Sequence, residues 1–543
     1  MLPYNARMRL RALALVLLLC ACKPGDPKDP ATWIKRLSDS DPRVRQQAVR
    51  ELRKLKARPA APHVAGLLND PVVREEAAAA LRDIGSVAEV PALLDAVDTT
   101  VGAGSDTATR AANKTNARIA EALGEIGDAQ AGPTLLRLAR SKDDLVRLEA
   151  VQALGAVKFK GAIPELSLLV DDQSAPPLLL KKAIVALGDM HDPAAIPALQ
   201  HALVVERQGV SFLPEASYAL FQLGPAAVEP MIRVARDEDA AYLKWARDNA
   251  RPPAGTYAKA ALVLGDLGDA RAIPVLLDKL RYRDSDPLPG TARILTNLVR
   301  QFAANALGRL RAKDAGAAIL GLVQTRDVQD YDLVSFGAEA LVWIGDRAAA
   351  KEMMKRAEMG DVRLRMTVAQ NAALLGDESV LRQFDAISAR ARKAPAAQCA
   401  REVEALQLGD AGDKPCEAIA AQLDGLTAPI QAARTCKDSA PCWLDKLKDP
   451  DALLRARAAY ELGRRGAGEA VPALVQAVAD QELVARVAAI RALEWLIGVP
   501  SAQPQLKAGA DKLAAQLAAE QGRIQFIRVN EELRRLQARL AHL

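Results

Sequence analysis

Aromatic side chains make up only 3% of this 543-residue chain. A core so poor in rings must be filled by Ala, Leu and Val, a composition that suits closely packed helices. No charge of one sign dominates either. Lys and Arg number 73 against 67 acids, too even a balance for a nucleic-acid-binding surface. Missing too are a Gly-x-Ser-x-Gly elbow, a Walker loop and a dinucleotide fingerprint in a βαβ setting, which removes the common hydrolase, nucleotidase and dehydrogenase signatures. The longest purely apolar run near the start, Ala12 to Leu19, is too short to cross a bilayer as a helix.

That short run has a context. Arg7, Arg9 and Arg11 precede it and Leu19-Cys20-Ala21-Cys22 closes it, the layout of a cleaved export signal. The closing quartet resembles a bacterial lipobox. The resemblance implies diacylglyceryl transfer to the Cys22 thiol and cleavage between Ala21 and Cys22. Cys20 is the rival acceptor, but it would place Leu19 where a small residue is expected. Lys23 rather than Asp follows Cys22, which by the sorting rule of such lipoproteins favours the outer membrane over the inner. Residues 1–21 are then a signal peptide. Residues 22–30, ending in KPGDPKDP with its three prolines, form an extended tether.

From there on a pattern repeats. It reads LGEIGDAQAGPTLL at 123–136, LGAVKFKGAIPEL at 154–166, LGDMHDPAAIPAL at 187–199, LGDLGDARAIPVLL at 264–277 and LGRRGAGEAVPALV at 462–475. The glycines recur roughly every 31 to 43 residues, the period of helical solenoids. Gly124, Gly155, Gly188, Gly265 and Gly463 are expected at helix ends with positive φ. Pro164, Pro197, Pro274 and Pro472 fall where the next helix starts, a position that needs no N–H donor. At the other turn, Asp41/Arg45, Asp70/Arg74, Asp143/Arg147, Asp361/Arg365 and Asp451/Arg455 each set an acid at a helix start and an arginine one turn on. The Asp can cap the helix and the Arg can reach its own or a neighbouring unit's Asp, making a ladder along the stack.

Together these residues resemble HEAT repeats of the short, phycobilisome-lyase-like type. The fold implied is an all-α solenoid of about 14 helix pairs over residues 31–498, with a degenerate unit between Gly409 and Gly463 and an extended concave surface. Residues 499–543 follow as a C-terminal helical cap. There Phe526, Val529, Leu533, Leu536, Leu540 and Leu543 form a short seam spaced by threes and fours, which leaves coiled-coil self-association as the alternative to capping.

Some units carry extra residues: 98–106, whose Gly102-Ala103-Gly104 is a flexible turn rather than a phosphate loop, then 206–214, 248–256 and 282–290. Eleven of the nineteen aromatics lie between Phe212 and Trp343. Phe212, Tyr242, Trp245 and Tyr282, near the inserted loops, are candidate partner-binding anchors. Once Cys22 is acylated, Cys399, Cys416, Cys436 and Cys442 remain, an even set that in an exported chain implies two disulfides. Of three connectivities, the local one joins Cys436 to Cys442 across a short turn and leaves Cys399 with Cys416. The spacings are not those of a zinc site.

The functional expectation is a non-catalytic, membrane-anchored, protein-binding scaffold of the bacterial cell envelope. It would need no cofactor or metal, bind other envelope or exported proteins but no nucleic acid, touch the membrane through its lipid alone, and be a monomer unless the C-terminal seam self-associates. The histidines, His63, His191, His201 and His542, never precede a Glu, so the His-Glu pairs of iron-binding HEAT-type hydroxylases are absent. Likeness to lyase-type repeats implies no lyase activity, since that name describes the repeat. The rivals are an envelope enzyme or accessory subunit with the inserted loops as a pocket, and a binder of glycan or wall polymer on the concave face.

Overall fold

The computed structural model describes residues 26–98, 106–325, 330–409, 411–520 and 527–541. Ala21 and Cys22, the Gly102–Gly104 turn, and the seam residues Phe526 and Leu543 lie outside them. The described chain is an all-α solenoid whose only strands are a two-residue pair, Glu206–Arg207 and Val210–Ser211. It divides into two compact units, Met1–Ala198 with Arg207–Val210, and Leu199–Glu206 with Ser211–Leu543. The boundary falls inside the stretch expected to be one array.

Each regular repeat pairs a short first helix with a longer second one. First helices such as Ile163–Asp171, Ile273–Lys279 and Val471–Ala477 are entered through a 3-10 turn and carry proline in their first turn, as expected of Pro164, Pro274 and Pro472. Second helices lie side by side in a layer: Pro42–Lys54, Arg74–Ile84, Thr107–Ile126, Asp144–Ala156 and Pro177–Asp189 in unit 1. In unit 2 the layer holds Pro253–Leu267, Pro289–Arg309, Tyr331–Ile344 and Val362–Leu375.

The repeat glycines have a different role from the one expected. Gly124, Gly155, Gly188, Gly265 and Gly463 lie inside the last turns of second helices, and none has positive φ. Positive φ falls three residues later, on Gly127, Lys158, His191, Gly268 and Gly466. The helical glycines instead admit the next repeat. A Cβ on Gly155 would lie 2.6 Å from Ala186 Cα, and one on Gly265 2.9 Å from Ala306 Cα. Gly308 against Ala340 and Gly463 against Ala492 repeat the contact at 2.7 Å. The motif glycine is thus a packing residue, and the turn tolerates Lys or His in its place.

Unit 2 does more than stack neighbours. The second helix Ala452–Arg464 returns onto helices far earlier in sequence. Arg457 Nη1 donates to Ala373 O and Gly376 O at 3.0 Å, Trp343 Nε1 donates to Tyr460 OH at 3.3 Å, and Arg464 donates to Val342 O. These donors satisfy carbonyls at two helix C-termini, where cations also oppose the helix dipole. At the centre, buried Glu461 pairs with Arg347, Arg457, Arg464 and Arg465. Burial works against its charge, but Arg457 and Arg464 outweigh it and hold the carboxyl down at about 2. The extended surface expected of the whole array is therefore covered here by the chain's own later repeats.

Two outcomes follow from this packing. Alanine at Gly155 gains about 1 kcal/mol of helix propensity, but its Cβ would overlap Ala186, a strain of about 1–3 kcal/mol. Gly155→Ala should lower the urea midpoint, and a raised midpoint would refute the close contact. Because the Glu461 carboxyl is depressed in the folded state, its stabilising contribution is present above the ordinary glutamate range and is lost as pH falls towards about 2. The stability gap between wild type and Glu461→Gln, measured by denaturant titration, should therefore be wide at neutral pH and shrink on acidification. A constant gap would show that Glu461 is not held ionised by its arginines.

Candidate protein-binding surfaces

The Asp/Arg signature forms some rungs and not others. Asp41, Asp143, Asp361 and Asp451 cap their helices, accepting from Arg43, Leu145, Arg363 and Leu453 N–H groups at 2.7–3.0 Å. Arg45 reaches the next unit's Asp70 at 2.5 Å, and Arg455 reaches Asp480 in a two-pronged contact at 2.7 Å. Both arginines also donate to carbonyls just before their own helix, of Asp39 and Asp449. Arg365 instead pairs with Glu402 at 2.5 Å, Arg147 lies 3.9 Å from Asp144 of its own helix and adds to Ser174 in lowering the carboxyl of the next unit's Asp172, and Arg74 forms no rung among the described residues. Asp70 accepts from Val72 N–H one turn before the helix that starts at Arg74.

Of the four anchor aromatics, two are misassigned. Phe212 is fully buried and Tyr242 is 4% exposed, with its hydroxyl against Thr256 Oγ1 at 3.0 Å. Inserted segments here need filling from within, so their rings turn inward and no partner can touch them without unfolding. Trp245 and Tyr282 are half-buried. Trp245 stacks on His201 with ring centroids 3.8 Å apart and planes 4° from parallel. Tyr282 meets Tyr257 edge-on at 5.4 Å and donates to Asp284 at 2.7 Å. Burial first, then Asp284, pushes the Tyr282 phenol well above its usual range. Just after it Leu288 and Ile294 are exposed, each 65% accessible, aliphatic positions that carry no aromatic signal in the sequence.

The cysteines pair as Cys399–Cys416 and Cys436–Cys442, with Cα separations of 5.0 and 5.3 Å. They tie together the short helices Ala396–Leu406, Pro415–Gly425, Ala428–Cys436 and Ala440–Lys446 of the degenerate region. Beside the first bridge is a cavity of about 320 Å³ floored by Val362, Met366 and Ile387, with Arg365, Glu402, Arg390 and Glu358 among its lining residues. The two ion pairs, Arg365–Glu402 and Arg390–Glu358, neutralise those charges against one another.

In unit 1 the second-helix layer carries a row of charge. Arg50 pairs with Glu76, Arg53 with Asp83, and Arg82 and Arg118 converge on Glu121. An open depression of about 360 Å³ beside this row is lined by Arg82, Glu121, Glu125, Glu149 and Gln152. Burial, with Glu121 nearby, raises the Glu149 carboxyl above its ordinary value. Among the described residues no three His, Cys, Asp or Glu side chains are grouped to hold a metal ion, and no helix is long and apolar enough to cross a membrane.

Replacing Phe212 by Ala should cost about 3–5 kcal/mol of stability. The double change Trp245→Ala and Tyr282→Ala should leave the fold intact and weaken partner capture in pull-downs. Undiminished capture would remove that patch from the interface.

The family model for HEAT repeats matches residues 30–112, 106–178, 138–211 and 440–521, and that for the PBS lyase HEAT-like repeat matches 257–282. No curated protein sequence matches the chain. Among solved structures, yeast importin-β (Kap95p) overlaps 94% of this chain and 77% of its own at 12% identity and a TM-score of 0.41. The CpcE–CpcF complex of phycocyanin lyase from Nostoc sp. PCC7120 overlaps 52% of this chain and 94% of its own, at 20% identity and 0.23. Human deoxyhypusine hydroxylase overlaps 54% and 98%, at 19% and 0.21. At such scores these overlaps carry no functional argument. The chain is an all-α solenoid that contains HEAT repeats, one of them of the PBS lyase HEAT-like kind.

Proposed function

We propose that the chain is a non-catalytic, lipid-anchored scaffold of the bacterial cell envelope that holds another envelope or exported protein. The observation that carries this reading is the second-helix layer of unit 1. Arg50–Glu76 and Arg53–Asp83 join its first two helices and Arg82–Glu121 joins the second to the third. Charge laid out in a row suits a macromolecule that spans several repeats. A small-molecule pocket is enclosed and mostly apolar, whereas the depression beside this row is open and lined mainly by charged and polar side chains. The row mixes both signs, which suits specificity for a partner's charge pattern more than non-specific attraction.

Anchoring rests on the leader. Cys22 would carry the acyl chains, Lys23 favours the outer membrane, and residues 22–30 set the first repeat off the bilayer. A single acyl chain binds weakly, roughly 10⁴ M⁻¹, while two or more hold a protein stably.

In bacterial cells producing the full chain, Cys22→Ser should move the protein from the membrane fraction to the soluble fraction. In-cell crosslinking followed by mass spectrometry should link unit 1 to a different protein. A Cys22→Ser protein that stays with membranes would refute the anchor. Crosslinks confined to the chain itself, with sedimentation on purified wall polymer, would replace the protein-scaffold reading by the glycan one.

A further inference from the structure

The C-terminal helix Ile527–Leu540 does not stop at the last repeat. It packs on the helices Gln503–Glu520 and Leu483–Leu496 and reaches back to Leu213–Gln222. Val529, Leu533, Leu536 and Leu540 of the seam are all buried there. Between them Glu532 and Arg535, each 4% exposed, enter a charged seat made by three second helices. Arg309 grips Glu532 with both Nη atoms at 2.9 Å, and Arg491 meets Glu532 at 3.2 Å. Arg535 pairs with Asp266 at 2.9 Å, and Arg539 donates to Asp266 O at 2.5 Å. Arg534 lies over the Tyr218 ring at 3.6 Å.

The charges of the seat are paired among themselves even without the helix. Within the seat, Asp266 pairs with Arg309 at 3.0 Å and Arg491 pairs with Glu494. On the helix, Glu532 and Arg535 sit three residues apart, close enough to face one another. Removing one member of a buried ion pair is costly because it strands the other. Undocking this helix strands none of the seat's charges. A buried ionic network also adds little stability over apolar packing of the same volume, and its best-attested use is to fix register and partner.

We propose that this seat is a receptor for amphipathic helices, that residues 527–540 are its resident ligand, and that a partner protein's helix of the same chemistry exchanges with it. That chemistry is a Val/Leu stripe spaced by threes and fours, with a glutamate and an arginine three apart beside it. Binding is the helix-in-groove mode, with apolar anchors for affinity and the two charges for register. The proposal deepens the scaffold reading by naming the class of partner.

The test uses the full chain with a site-specific protease sequence inserted in 521–526. After cleavage of the folded protein, a fluorescein-labelled peptide of residues 524–543 is the probe. The cleaved protein should take up the peptide, seen as rising anisotropy, and release its own tail, seen by mass. Uncleaved protein should bind at least 100-fold more weakly, because its tethered helix competes at millimolar effective concentration. A Glu532→Arg peptide should lose at least tenfold in affinity. The proposal is overturned if the cleaved protein keeps its circular dichroism but never exchanges its tail, if it unfolds as the tail leaves, or if the Glu532→Arg peptide binds as well as the original. Crosslinking that finds no partner would sink the scaffold reading while leaving this exchange intact. A failed exchange beside identified partners would sink only the receptor.

Discussion

Successive second helices approach so closely at one register position that no side chain fits between them. Gly124 meets Ala153, Gly155 meets Ala186, Gly265 meets Ala306, Gly308 meets Ala340 and Gly463 meets Ala492. The shortage of aromatics follows from this constraint. A layer of helices held that near is filled mainly by Ala, Leu and Val; of the buried rings, Phe212, Tyr242 and Trp443 lie in inserted or degenerate segments, and Trp343 and Tyr460 lie on second helices of unit 2. Close approach also brings the residue after each glycine to one face of the layer, where its neighbours along the row are its counterparts in adjacent repeats.

Those next residues separate the two units. In unit 1 they are Glu125, Ala156 and Asp189, the first two exposed and the third half-buried. In unit 2 they are Asp266, which is buried, and Arg309 and Arg464, which are half-buried, each contacted by a segment distant in sequence. The same register position thus meets solvent in one unit and later parts of the chain in the other. Two solutions to burying charge appear side by side. Around Glu461, four arginines share one carboxylate, and burial draws Arg457 and Arg464 down to about 10. Arg457 and Arg464 are kept there by helix-end carbonyls, so parting these surfaces would leave both donors and acceptors unmet. Around Asp266, Arg309 and Arg491 keep acidic partners of their own when the terminal helix leaves, although the Asp266 carbonyl loses its Arg539 donor.

Much of this was legible in the sequence because its signals are local. Asp41, Asp143, Asp361 and Asp451 cap the helices they precede, and Pro164, Pro274 and Pro472 open theirs, because capping and the absent proline N–H act within one turn. The cysteine pairs also lie close along the chain. The motif glycine was misread because glycine has two uses, positive φ and close approach. Only the neighbouring helix distinguishes them, and Lys158 and His191 at the true turn show that φ was not the reason. The return of Ala452–Arg464 and the docking of Ile527–Leu540 were not legible, since no periodicity links residues 81 or more positions apart, as Arg457 and Gly376 are. Their trace was present only as charge set directly after the packing glycines, in Asp266, Arg309 and Arg464.

That trace has a general physical basis. A charged residue beside a packing glycine cannot turn into its own core, because the next helix is already in contact there. It must point off the layer, so it either stays in water or is met by something brought to it. In unit 1 the answer is water and ion pairs along the row. In unit 2 the answer is the chain itself, and Glu532 and Arg535 show what such a surface selects: opposite charges in matching register, carried on a helix whose apolar stripe fills the space between them. The docked helix therefore describes the chemistry that meets the charged second-helix layer of unit 2.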